Sequence, residues 1–250
     1  MTLTSPSVPD RIAVIGPGRL GSALAQALEA HTEVILQGRG GDGGGAGLVL
    51  LCVPDAQIAA AAAHVPPGRL VGHCSGVTGL AVLAPHEALG LHPLMTVTGP
   101  GASLAGAGAA IGGTTPRAVG TARAVAGALG MRAFLLDDAD RPAYHAAASV
   151  ASNFLVTLET WAEELLPGDR TLLAPLVRAT VENWAADGAE RALTGPIARD
   201  DTATVARQRE AVAERTPAHL PLWDALATAT YALAQTHQGG QAPLMRGGPS

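Results

Sequence analysis

Residues 11–30 read R-I-A-V-I-G-P-G-R-L-G-S-A-L-A-Q-A-L-E-A, and this stretch decides the fold. The apolar run from Ile12 to Ile15 enters Gly16, Gly18 and Gly21 at G-x-G-x-x-G spacing, and Leu20, Leu24 and Leu28 then recur at helical intervals. The pattern is strand, tight turn, helix. Gly16 allows a sharp turn off the strand, Gly18 lets backbone N–H groups approach a pyrophosphate, and Gly21 lets the helix pack closely on the strand. A helix that begins there offers unpaired N–H donors and a positive dipole end to phosphates. In a chain with 31 glycines the spacing alone is weak evidence. The strand before it and the helix after it give it weight. Gly16, Pro17, Gly18, Arg19, Leu20 and Gly21 are therefore the expected dinucleotide-binding turn.

Working outward, residues 33–36 read as a second strand that ends at Gln37, Gly38 and Arg39. An NAD-preferring fold places an acid at this point for the ribose 2′-hydroxyl, whereas an arginine suits a 2′-phosphate. Arg39 stands there without an acid, which points to NADP; the plain alternative is a solvated loop charge. Residues 40–47 are nearly all glycine and read as a mobile connection. The fully apolar run 48–53 suits a central parallel strand covered on both faces. Its end places Val53 and Pro54 at the cofactor crevice, and an alanine-rich helix is expected over 56–64. Residues 69–73 form the next short strand, with Cys74, Ser75 and Gly76 turning at the same sheet edge, where Ser75 is a further expected cofactor contact. A weak strand over 109–111, a helix over 116–129 and a strand over 133–136 complete an α/β layer with a mostly parallel sheet.

Beyond Asp137 the strand signals stop, and amphipathic helical patterns cover 143–166, 170–186, 202–215 and 220–235. The expected organisation is a nucleotide-binding domain over 1–137 and an all-α substrate and dimerisation domain over 138–250. Residues 1–10 read as a disordered lead-in and 239–250 as a frayed tail.

Composition narrows the functional classes. Of 250 residues, 48% are hydrophobic and 15% charged, which describes a globular chain with a real core. Only 3% are aromatic, so that core must be built from Ala, Leu and Val. A net charge of −5 gives no electrostatic case for nucleic acid or an anionic membrane as partner. No apolar run approaches the length of a membrane span, and the first ten residues lack a signal-like core, so a cytoplasmic location is expected. Cys52 and Cys74 are too few for a disulfide framework and read as core. All 16 basic residues are arginine. The absence of lysine excludes a Walker-type phosphate loop, a Schiff-base mechanism and a lysine general acid.

The remaining chemistry-bearing residues gather in the second half. On the helix expected over 143–166, His145, Ser149, Ser152 and Asn153 fall at i, i+4, i+7 and i+8, along one stripe among small and apolar neighbours. Such a line must find partners on neighbouring helices or contact a ligand, and the first helix after a nucleotide domain faces a crevice. His145, Ser149 and Asn153 are the catalytic candidates and Ser152 a substrate contact. His73, Cys74, His86 and His92 match none of the usual zinc spacings, so no metal is expected. His92, followed by Pro93 and Thr96, suits positioning of a substrate carbonyl or the nicotinamide amide. In the loop 193–204, Arg199 suits a substrate carboxylate, with helix capping by Asp201 or Thr202 as the alternative.

The combination G-P-G-R-L-G, H-C-S-G, H-P-L-M-T, Y-H-A-A-A-S-V-A-S-N and L-T-G-P-I-A-R, in that order, resembles the Rossmann-like and DUF2520 oxidoreductases, a branch related to the 6-phosphogluconate dehydrogenase-like enzymes. The resemblance implies an N-terminal NADP-binding Rossmann domain, a 6-phosphogluconate dehydrogenase-like all-α C-terminal domain, a homodimer built through those helices, and a small-molecule substrate bound between the domains. Some similar proteins are alternative ketopantoate reductases, which makes a 2-oxo acid the natural substrate class. Two departures stand out. Related β-hydroxyacid dehydrogenases use a Lys and an Asn four residues apart on this helix, where this chain has Ser149 and Asn153, so the proton donor must be another group; His145, one turn earlier, is the candidate. A loop expected to read A-R-G-D reads Ala198, Arg199, Asp200, Asp201 instead. The reading is an NADP(H)-dependent oxidoreductase acting on a small carbonyl or imine. Its rivals are a non-catalytic NADP-binding regulator or scaffold and a metal-assisted hydrolase using His73, His86 and His92.

Overall fold

The computed structural model describes residues 7–166 and 169–238. Most of the expected lead-in and all of the expected tail lie outside the described residues. The chain forms two compact units that divide between Asn153 and Phe154.

The first unit is built on one seven-stranded sheet in the order β2-β1-β3-β4-β5-β6-β7. Its strands are β1 (Arg11–Ile15), β2 (Glu33–Gln37), β3 (Leu48–Leu51), β4 (Leu70–His73), β5 (Glu87–Leu94), β6 (Gly108–Gly113) and β7 (Arg132–Leu135). All neighbours pair parallel except β5 with β6. The mostly parallel sheet expected from the sequence is therefore present. Strands β3 and β4 are buried at every position, as central strands covered on both faces are, and β3 is apolar throughout. Alternation along β1 sorts two cores. Ile12 and Val14 pack with Leu24 and Leu28 of α1 (Arg19–Leu28) and with Ala118, Ala122 and Val125 of α3 (Pro116–Ala128). Ala13 and Ile15 pack on the other face with Ile58 and Ala62 of α2 (Ile58–Ala62).

Several expectations change in detail. The helix expected over 56–64 is a 3₁₀ turn, Asp55–Gln57, followed by the short α2. The stretch around His92 is the longest strand, β5; Gly90 and Pro93 hide it in the sequence, because both are poor strand residues. Residues 40–47 fold back on β2, with the Gly43 N–H donating to Gln37 Oε1 at 2.8 Å and the Gly44 N–H to Asp42 Oδ1 at 2.9 Å. The single helix expected over 143–166 is α4 (Arg141–Ser149), a π-helical turn (Val150–Phe154) and α5 (Leu155–Leu165). Most of α4 is exposed rather than buried.

The second unit is helical, with α5, α6 (Ala174–Ala192), α7 (Thr202–Arg215) and α8 (Leu220–Gln238). It is pinned by Trp161, whose indole N–H donates to Thr216 Oγ1 at 3.0 Å and whose ring stacks on His219 with centroids 5.0 Å apart. Gly188 takes φ +73° and breaks the course of α6. Asp201 caps α7 by accepting from the Thr204 N–H at 3.0 Å, as the capping alternative has it. Asp200, in the place where the resemblance leads one to expect glycine, adopts φ +55°. An aspartate here holds the left-handed backbone that suits glycine.

Candidate functional site

The parallel strands β1, β3, β4 and β5 all end at one edge of the sheet, and β1 lies where the chain first runs to one side and then to the other, the place where such sheets bind ligands. The glycine turn sits there. A Cβ on Gly16, which has φ +109°, would lie 2.5 Å from the Cys52 carbonyl oxygen, and one on Gly21 would lie 1.9 Å from the Gly16 carbonyl oxygen. Neither position admits a side chain. Gly18 is different: a Cβ there would meet nothing within 4 Å. Gly18 is also the N-cap of α1, with no side chain capping the helix and no acid in its first turn. Open space lies before N–H donors that the chain itself does not occupy, so the turn fits the diphosphate of a dinucleotide.

Arg39 is exposed beyond β2 and lines a cavity of about 320 Å³ with Gly40, Gly41, Gln57 and His64. Val53 and Pro54 follow β3 at the same edge, half-buried and exposed respectively. Ser75 is buried, and its Oγ accepts from the N–H groups of Val77 and Thr78 at 3.3 and 2.9 Å. Its hydroxyl oxygen is thus engaged in shaping the turn after β4. The Cys52 and Cys74 sulfurs lie 3.7 Å apart; Cys74 is buried and Cys52 half-buried.

A second cavity, of about 520 Å³, gathers most of the expected reaction residues: His92, Thr96, His145, Ser149, Ser152 and Asn153, together with Leu94, Met95 and Tyr144. The π-helical turn carries Ser152 and Asn153, and its changed register sets which side chains share a face. Ser152 Oγ donates to the Ala148 carbonyl at 2.7 Å. Arg199 belongs to the second unit, exposed in the turn before α7.

Tyr144 and the groups around Arg141 were not singled out in the sequence. The Tyr144 hydroxyl lies 2.5 Å from His92 Nδ1, with the two rings edge to face. Burial, then the neighbouring His145 and Arg141, push His92 down to about 4, and burial pushes the Tyr144 phenol up to about 12, so both are neutral at pH 7. Gly76 makes room for this group: a Cβ there would lie 3.1 Å from His145 Cδ2 and from His92 Cε1 and Nε2.

Arg141, at the start of α4, is 2% exposed. Its Nε donates to Asp138 Oδ1 at 2.6 Å and its Nη1 to the Ser75 carbonyl at 3.4 Å. Asp138 Oδ2 accepts from the Leu80 N–H at 2.9 Å. Burial alone would raise the Asp138 carboxyl, but these hydrogen bonds outweigh it and hold it below the ordinary carboxylate value. Beneath this pair, His73 is fully buried and accepts from the Ser75 N–H at Nδ1, which leaves Nε2–H to donate to the Gly79 carbonyl. Burial holds His73 below its ordinary value, so it is a neutral structural group. Among the described residues there is no cluster of three or more His, Cys, Asp or Glu that could hold a metal ion, and no helix is long and apolar enough to cross a membrane. A cavity of about 530 Å³ within the second unit, between α5 and α6, is lined by aliphatic side chains with Glu159, Glu163, Arg170 and Arg178 and contains no histidine.

Comparisons with known proteins agree with this architecture. Over 90% of this chain and 98% of the other, the fold matches a Bacteroides fragilis protein designated a candidate NADP oxidoreductase, at 20% identity and a TM-score of 0.76. A Thermotoga maritima protein matches over 91% of this chain and 99% of its own, at 21% identity and a TM-score of 0.76. A reductive aminase from Aspergillus terreus, in complex with NADPH and ethyl levulinate, matches over 92% and 99% at 17% identity and a TM-score of 0.62. At these identities the likeness is one of fold. No curated protein gives a significant sequence match. Residues 108–230 match the family described as a domain of unknown function, DUF2520.

Proposed function

We propose that the protein is an NADP(H)-dependent oxidoreductase that reduces a small carbonyl compound or imine, with 2-oxo acids such as ketopantoate as the first class to test. One observation carries this reading: the open glycine turn and the histidine cavity lie along one sheet edge, linked through Cys52, Cys74 and Gly76. The names of the structural neighbours, NADP oxidoreductase and an NADPH-bound reductive aminase among them, support it. In this reading the N–H groups at the start of α1 hold the diphosphate, and Arg39 holds the 2′-phosphate with His64 across the same cavity. When bound, the reduced nicotinamide supplies hydride. His145 delivers the proton to the substrate heteroatom, and His92 and Asn153 orient that atom. An NADPH-oxidation screen over 2-oxo acids, other ketones and cyclic imines tests the reading. Tight NADPH binding with no turnover on any of them would favour the non-catalytic regulator instead.

Arg39→Ala is expected to weaken NADPH binding roughly tenfold, the worth of one charge-assisted contact, while leaving NADH binding unchanged. Calorimetric titration with both cofactors measures this. Equal losses for the two would show that Arg39 does not read the 2′-phosphate.

The same reading includes a homodimer formed through the C-terminal helices. In the second unit the large apolar side chains Val156, Leu176 and Trp184 are 66%, 64% and 61% exposed, surface of the kind that a second copy of this chain would cover. Sedimentation should give the mass of two chains for the wild type and of one for Trp184→Glu. A wild-type monomer at micromolar concentration would end this part of the proposal.

A further inference from the structure

We propose that Tyr144 is a positioning residue whose hydroxyl donates to Nδ1 of His92 and so holds His92 as the tautomer with Nε2–H open to the cavity beside His145, a neutral hydrogen-bond donor for the substrate's carbonyl or imine atom. The proposal rests on reading this cavity as the reaction site.

Geometry comes first. The oxygen and nitrogen are 2.5 Å apart, short for a neutral pair and well placed for one shared proton. Two tautomers could satisfy the contact. Phenol is a stronger acid than a neutral imidazole N–H, and the imidazole lone pair is a stronger base than a phenol oxygen, so the proton on this line belongs to Tyr144. The ring proton of His92 then resides on Nε2. That atom makes no hydrogen bond among the described residues, and it is not one of the buried polar atoms cut off from both solvent and partners. It faces the space above Gly76 that His145 shares.

Both members are held from behind. Tyr144 stands on α4, whose first residue, Arg141, is fixed by Asp138 and the Ser75 carbonyl. Phe134 of β7 packs against the Tyr144 ring with centroids 6.0 Å apart. His92 stands on β5, paired with Ala110 of β6. The surrounding charges keep His92 neutral: burial, His145, Arg141 and His73 all oppose its protonation, and Asp55 is the only group acting the other way. A histidine with that character cannot act as the acid at neutral pH. It can polarise a carbonyl or imine through N–H without changing charge, which leaves the proton-transfer role to His145.

Nitrogen-15 NMR of histidine-labelled protein reads the tautomer without any substrate. At pH 7 the wild type should show His92 with a protonated Nε2 and a bare Nδ1. In Tyr144→Phe the two tautomers should mix. With a substrate found by the NADPH screen, the same variant should lose roughly tenfold in kcat, with KM within about twofold. A wild-type signal from Nδ1–H overturns the proposal without recourse to any variant, and so does a tautomer unchanged in Tyr144→Phe. Absence of turnover with every substrate would refute the proposed function, while the tautomer measurement would still decide the role of Tyr144.

Discussion

Asp138→Ala should destabilise the first unit by about 3 kcal/mol, the lower end of what is lost when one member of a buried ion pair is removed. Arg141 is the reason. Its side chain is 3% exposed, and without Asp138 the guanidinium keeps only the Ser75 carbonyl as a hydrogen-bond acceptor among the described contacts. The Asp138 side chain is itself 47% exposed, so solvent screens part of the pair, and the lower end of the range applies. The Leu80 N–H also loses its acceptor. Urea unfolding followed by tryptophan-independent far-ultraviolet dichroism measures the change, and a value within about 0.5 kcal/mol of the wild type would mean the buried charge is satisfied otherwise. Replacing both partners, Asp138→Asn with Arg141→Met, should recover most of the loss, since no unpaired charge remains. The pH dependence follows from the depressed carboxyl. Its contribution is complete above the ordinary value of 3.8 and is lost as the pH falls through the lower folded-state value, so Asp138→Asn should flatten that part of the acid unfolding curve.

The same pair marks the limit of what the sequence discloses. The β1 turn was legible because its demands are local: Gly16 and Gly21 have no room for a Cβ, and the residues that exclude it are fixed by the strand-turn-helix itself. Arg141 reads as an ordinary helix-start charge, since the glycines that admit it come from elsewhere in the chain. A Cβ on Gly90 would approach its Nη2 to 3.0 Å, and one on Gly112 to 3.7 Å. Only the pairing of β5 with β6 brings those two glycines together. Likewise the polar stripe on α4 was visible as a spacing, but the π-helical turn at Val150–Phe154 leaves no periodic signal of its own. Tyr144, next to His145 in a quoted motif, was hidden by its partner: nothing in the sequence places a residue of β5 opposite it. Asp200 shows the reverse case, in which a residue type unlike the expected glycine conceals a left-handed backbone.

His145→Ala should lower kcat by roughly 100-fold or more, the usual loss when a positioned general acid is removed. The argument is one of elimination followed by placement. No lysine exists anywhere in the chain. In the cavity, His92 is held neutral at about 4 and Tyr144 sits at about 12, too reluctant to ionise for rapid proton delivery near neutrality. Ser149 and Ser152 are hydroxyls, and Ser152 already donates to the Ala148 carbonyl. His145 is the remaining imidazole there, and imidazole is the commonest side-chain general acid. It is exposed on α4 while its ring reaches the space above Gly76, next to His92 Nε2. Because the side chain is exposed, the substitution should leave the unfolding midpoint nearly unchanged, and NADPH should bind with wild-type affinity, so the loss should fall on the chemical step. Added imidazole should restore part of the rate by entering the vacated space and donating the same proton. Turnover within about twofold of the wild type, with affinity and stability unaltered, would remove His145 from the reaction and shift the proton to ordered water.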